Sequence, residues 1–199
     1  PNGIDAFWLD NRATKPKSIN RNNINILYVG RLSKRKNILT TIKACQILQD
    51  RGYDITFSVV GPVEDQKMYR EILQHSFIKY FGPQAKEKLI SFYRSNDIFV
   101  MPSITETFGL VYAEAMSQGL PVIYTKGQGF DSQFEEGTVG YHVNCFNPDE
   151  IADRINDIID NYEALSKNCL RLCVRFDWCD IAQKYLSIYN EVLNSTIRH

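Results

Sequence analysis

Apolar residues in this chain come in two alternating patterns. Short, nearly unbroken runs rich in Val, Ile, Tyr and Phe stand at 24–30 (INILYVG), 54–61 (DITFSVVG), 77–82 (FIKYFG), 97–102 (DIFVMP) and 121–125 (PVIYT). Such runs predict buried strands, because a strand covered on both faces needs no polar alternation. GYHV at 140–143 predicts a short last strand. Between the runs, apolar residues recur at helical spacing over 38–52, 64–75, 84–96, from near Phe108 to Gly119, and over 148–165 and 177–193. Strands alternating with helices imply an α/β fold, a Rossmann-like parallel sheet flanked by helices on both faces. Residues 1–23 are polar, with scattered Pro, Asn and Lys, and read as a lead-in to one domain over 24–199.

This fold class says where to look for a ligand. In open parallel sheets it sits beyond the carboxyl ends of the strands. Here that edge carries Gly30 and Arg31, Gly61 and Pro62, Gly82 and Pro83, Pro102 and Ser103, and the loop after Thr125. Three of these ends hold Gly, which lets a ligand approach the backbone.

Composition narrows the classes. Lys+Arg and Asp+Glu balance at 23 each, so no global basic field argues for nucleic acid. No run reaches the ~18–20 apolar residues of a membrane span. The five cysteines match no common zinc or CxxC spacing and read as reduced, structural thiols of a cytosolic protein. No Walker motif, dinucleotide fingerprint or Asp-x-Asp pair is present.

Three features of the ligand edge carry chemistry. GRLSKRKN at 30–37 puts Arg31, Lys34, Arg35 and Lys36 before a helix. Cations there oppose the helix dipole, and a bound anion would offset that, although a solvated charged loop would carry the same residues. Glu114 stands among Leu, Val, Tyr, Ala and Met on a helix of buried character. It needs either a structural Arg or ligand hydroxyls, and the residues leave both open. Glu106 precedes Thr107, Phe108, Gly109 and Leu110, where a helix start offers free N–H groups to an anion. Thr105 or Thr107 could instead simply cap that helix. Together, cations and a helix N-terminus for a diphosphate, and acids for hydroxyls, describe a sugar nucleotide.

The same segments resemble a family. PNGID at 1–5, GRLSKRK, FGPQAKEKLISFYRSNDIF and above all SNDIFVMPSITETFGLVYAEAMSQGLPVI are similar to the C-terminal half of retaining GT-B glycosyltransferases of family 4, also called group 1. The likeness covers essentially the whole chain and includes a glutamate pair with seven residues between. It implies the following roles. Arg31 and Lys36 bind the donor diphosphate, with Lys34 and Arg35 facing solvent. The backbone of Phe108, Gly109 and Leu110 also holds phosphate. Glu114 takes the ribose hydroxyls, and Glu106, the catalytic residue, contacts the donor sugar's hydroxyls and orients it. The end at Phe81 and Pro83 borders the nucleobase.

The resemblance further implies transfer with retention, without a metal or cofactor, from a nucleoside-diphosphate sugar for which a UDP-sugar is the leading expectation. The partners would be the donor, a separate N-terminal acceptor-binding domain, and an acceptor glycan or lipid carrier. The location would be cytoplasmic, with peripheral association at the inner face of a membrane. A sugar-nucleotide epimerase of similar architecture and a non-catalytic nucleotide-sugar-binding module are the alternatives. Two departures stand out: Asn37 where many members have Gly, and GQGFDSQFEEG where they have GG-x-x-E, with Asp131 the candidate substitute. The final helix is expected to pack on the absent domain and to leave an apolar patch exposed without it.

Overall fold

The computed structural model describes residues 2–196. Strands β1 (Asn23–Val29), β2 (Asp54–Val60), β3 (Ile78–Tyr80), β4 (Ile98–Val100), β5 (Val122–Thr125) and β6 (Gly140–Val143) form one all-parallel sheet. Their order is β3-β2-β1-β4-β5-β6. Ile26 of β1 pairs with Phe57 of β2 on one side and Ile98 of β4 on the other, and all three are fully buried. β4 and β5 are buried along their whole lengths, as unbroken apolar runs require of central parallel strands.

The helices are α1 (Ala6–Asp10), α2 (Ile38–Asp50), α3 (Gln66–Ile72), α4 (Lys86–Ser95), α5 (Leu110–Ser117), α6 (Pro148–Asp160), α7 (Tyr162–Leu172) and α8 (Trp178–Thr196). α2 packs on α3 and α6, while α5 packs on α1 and α7, so both sheet faces are covered. The periodicity over 148–165 suggested one helix, but the chain forms two. Asn161 (φ −113°, ψ 19°) closes α6 with its N–H on Asp157 O and Ile158 O, then opens α7. The bend is made without Gly or Pro, so apolar spacing alone runs straight through it.

The lead-in also carries structure that its polar composition conceals. Asp5 caps α1 by accepting the Phe7 N–H at 2.9 Å. Ile4 and Trp8 are buried, and Trp8 meets Tyr93 of α4 edge-on at 5.5 Å between ring centroids. The Ile4 N–H donates to Phe176 O, and the Ala13 N–H to Ser117 O. This strap thus ties α4, α5 and the C-terminal turns together.

Cys45, Cys145, Cys169 and Cys173 are buried, Cys179 is exposed, and all five are free thiols. On α8, Leu186, Tyr189 and Leu193 are each 60% exposed and fall on one face by their spacing, so the expected apolar patch is present.

Candidate functional site

Strand order reverses between β1 and β4, and the loops leaving these two strands enclose the crevice where a parallel sheet takes its ligand. The two loops are bonded across it. The Ile104 N–H donates to Arg35 O at 2.8 Å, and the Asn37 amide donates to Pro102 O at 3.1 Å and to Cys145 O. Asn37 has φ 55° and ψ 37°, the left-handed conformation that the family glycine would supply, and Asn tolerates it. It ends a 3-10 turn at Lys34–Lys36 and opens α2.

Lys36 and Glu106 meet across the crevice as an ion pair, each side chain only 14% exposed. Glu106 is anchored at both its backbone and its carboxylate. Its N–H donates to Gln128 Oε1 at 2.9 Å, its Oε1 accepts the Thr107 N–H at 3.2 Å, and Ser103 Oγ lies 3.5 Å from Oε2. Two buried phenols fix the loops beneath the pair: Tyr28 donates to Arg31 O at 2.6 Å and Tyr112 to Met101 O at 2.5 Å. Arg31, Lys34 and Arg35 are exposed. With Ser33, Glu64, Asp65, Gln66 and Lys67 they line an open groove between the loops after β1 and β2, which neither Lys36 nor Glu106 lines.

The helix expected to begin near Phe108 begins at Leu110. Gly109 is its N-cap in the left-handed conformation (φ 75°), and neither Thr105 nor Thr107 caps it. A side chain at Gly109 would strike the Tyr112 ring 2.4 Å away. Left-handed backbone turns the chain sharply there, so Phe108 cannot be helical. Among the described residues no protein group accepts the N–H of Phe108, Gly109, Leu110 or Val111. Four successive donors at a helix N-terminus make a site for anionic oxygen.

Glu114 is half-buried one helical turn further on. Of the two partners open to it, no Arg pairs with it; it accepts from Tyr93 Oη at 3.1 Å. Burial pushes its carboxyl up to about 7, the Tyr93 hydrogen bond opposes this, and the nearby Asp5 carboxylate adds to it. Because the folded protein holds this proton more tightly than the unfolded chain, stability is lost as pH rises from the ordinary 4.5 through about 7. The loss amounts to up to about 3 kcal/mol. Glu114→Gln removes it, so urea midpoints of wild type and variant should draw apart between pH 5 and pH 8, with the variant the more stable at pH 8. A gap that stays constant with pH would contradict this.

Phe81 is exposed at the end of β3 and packs edge-on to Phe92 at 4.8 Å; Pro83 follows, also exposed. Asp131 lies apart from the Lys36 pair. Burial pushes its carboxyl up, but the Gly127 N–H (2.7 Å) and His142 (3.0 Å) hold it below the usual carboxylate range. The residues of that loop that reach the site are Gln128, on the Glu106 N–H, and Gly129, whose N–H donates to Glu106 O at 3.0 Å. Sequence reading missed both, and missed Tyr93 and Asp5 beside Glu114. The two glycines of GQG were the visible signal for the first pair; nothing local marked the second. Among the described residues no cluster of three His, Cys, Asp or Glu could hold a metal ion, and no helix is long and apolar enough to cross a membrane.

A six-stranded parallel sheet with its crevice at the switch point matches one half of the GT-B glycosyltransferase fold, as the likeness to a solved glycosyltransferase below shows. The family model described as glycosyl transferases group 1 matches residues 10–170, and the chain belongs to that family. D-inositol 3-phosphate glycosyltransferase of Corynebacterium glutamicum is 29% identical over 181 residues, covering 84% of this chain and 43% of that one. The capsular polysaccharide biosynthesis glycosyltransferase CapM of Staphylococcus aureus is 31% identical over 172 residues, covering 80% and 44%. Anabaena HepE, solved in complex with UDP and glucose, superposes with a TM-score of 0.73 at 25% identity, covering 85% of this chain and 49% of that one. The chain thus spans less than half the length of these curated relatives.

Proposed function

We propose that this chain is the donor-binding domain of a glycosyltransferase that moves a sugar from a nucleoside-diphosphate donor, a UDP-sugar first among them, to an acceptor glycan or lipid with retention at the anomeric carbon. The observation that carries this reading is the Lys36–Glu106 pair set against four unpartnered N–H groups at the start of α5. The solved complex of HepE with UDP and glucose supports it.

In this reading Arg31, Lys36 and the N–H groups of Phe108, Gly109 and Leu110 take the diphosphate. These donors are fixed before the reaction, so they stabilise the leaving nucleoside diphosphate without reorganising and do what a metal does elsewhere. Glu106 holds the donor sugar's hydroxyls, Glu114 holds the ribose, and Phe81 with Pro83 borders the base. An N-terminal domain supplies the acceptor and closes the cleft, and the whole enzyme works in the cytoplasm, at the inner face of a membrane.

Glu114 gives the test of this division. Above pH 7, where Glu114 is ionised, a charged acceptor for ribose hydroxyls contributes about 1.5–3 kcal/mol, so Glu114→Ala should weaken UDP and UDP-glucose alike by roughly 10- to 150-fold. Titration calorimetry of both ligands measures this. Unchanged affinity for both would assign Glu114 to Tyr93 alone and leave the ribose without its acid.

A further inference from the structure

We infer that the Lys36–Glu106 ion pair makes the site discriminate against bare nucleoside diphosphate, so that Glu106 acts as a release element for product as well as a contact for the donor sugar. This rests on the donor-binding reading above. The pair is a cation and a carboxylate in direct contact, each side chain 14% exposed, with the Thr107 N–H on Glu106 Oε1, Ser103 Oγ 3.5 Å from Oε2 and Gln128 on the Glu106 backbone N–H.

Lys36 faces two anions when a ligand arrives. A diphosphate that bonds to its ammonium brings negative charge against a carboxylate whose Oε1 accepts the Thr107 N–H and whose residue is anchored at its backbone N–H by Gln128. At low exposure this repulsion is weakly screened. A sugar nucleotide brings compensation, since its sugar hydroxyls donate to Glu106 and replace the bond that Lys36 gives up. A nucleoside diphosphate brings none, and after transfer its terminal phosphate carries more charge than in the donor. The same carboxylate therefore favours the donor and disfavours the leaving product. Specificity of this kind comes from a repulsive group built against the competitor.

Removing a binding-site acid should tighten one ligand. Glu106→Gln keeps the shape and removes the charge, which frees Lys36 for phosphate. UDP should then bind at least about fivefold tighter, the most that a solvent-exposed ion pair contributes, because this pair is largely buried. UDP-glucose should bind no tighter or weaker, so the preference for donor over product shrinks by about fivefold or more.

The experiment is titration calorimetry of the chain and of Glu106→Gln with UDP, GDP and ADP and their glucose conjugates, with Glu106→Ala as a second variant and melting curves confirming that each is folded. Tighter UDP binding in either folded variant, with a smaller donor preference, is the expected result. Equal or weaker UDP binding in both would overturn the inference while leaving the donor site standing. Absence of any nucleotide binding by the unaltered chain would overturn the donor-site reading itself, and the inference with it.

Discussion

Lys36→Met should lower affinity for UDP by at least about 30-fold. The stem is kept and only the charged head is lost, so the change reads the ammonium rather than packing. Truncating one partner of a hydrogen-bonded, desolvated charge pair costs roughly 2–5 kcal/mol. Lys36 has two such partners in this scheme, Glu106 in the free protein and the diphosphate in the complex. Its loss also leaves Glu106 largely buried without its cation, so the melting temperature should fall even without ligand. Calorimetric titration with UDP and a melting curve measure the two effects separately. A UDP affinity within threefold of wild type would show that Lys36 serves only to neutralise Glu106.

Gly129→Ala should damage the site from the opposite side. A Cβ there would lie 2.0 Å from Thr107 O, 2.3 Å from its carbonyl carbon and 2.6 Å from Phe108 N, all atoms of one backbone peptide and none of a flexible side chain. The loop after β5 or the turn at Glu106 must move. Overpacking of this kind costs about 1–3 kcal/mol, and for a chain of this length that is a fall of roughly 3–10 °C in melting temperature. Because Gly129 and Gln128 both bond to the Glu106 backbone, the shift should also displace the Glu106 carboxylate and weaken UDP-glucose beyond the loss of stability. Gly127→Ala is the control. Gly127 is left-handed (φ 73°), but a Cβ on it would have nothing within 4 Å, so the variant should lose some stability and keep its donor affinity. Equal effects of the two substitutions on UDP-glucose binding would mean that contact between this loop and Glu106 does not matter.

The main frame of this site was legible in the sequence because it rests on local signals. Unbroken apolar runs located the strands, and Gly or Pro after several of them located the edge. Arg31, Lys36, Glu106 and Glu114 all stand on loops or a helix that follow those strands, so alternation alone brought them to one end of the sheet. The apolar pattern starts α5 too early because Phe108 fits it, whereas the Tyr112 ring and the left-handed Gly109 decide the boundary through backbone geometry. Helix α1 escapes such reading because its five residues are too few to show a period, and its burial comes from Tyr93 and Phe176, far along the chain. The Tyr93 contact that tunes Glu114 depends on the packing of α4 against α5 and has no local trace. The Lys36–Glu106 pair joins residues 70 apart in sequence and becomes visible only once β1 and β4 are known to be neighbours.

In the proposed function the crevice between β1 and β4 takes the diphosphate of a sugar nucleotide. A thermal shift series with UDP, GDP, ADP and their sugar conjugates at millimolar concentration tests it most directly. Ligand at ~10 times its Kd stabilises by about 1.4 kcal/mol, or roughly 3–6 °C for a domain of this size. The expected result is a shift with one nucleotide family, UDP first, that is lost in Arg31→Ala. No shift with any of them, or a shift of the same size in Arg31→Ala, would contradict the claim.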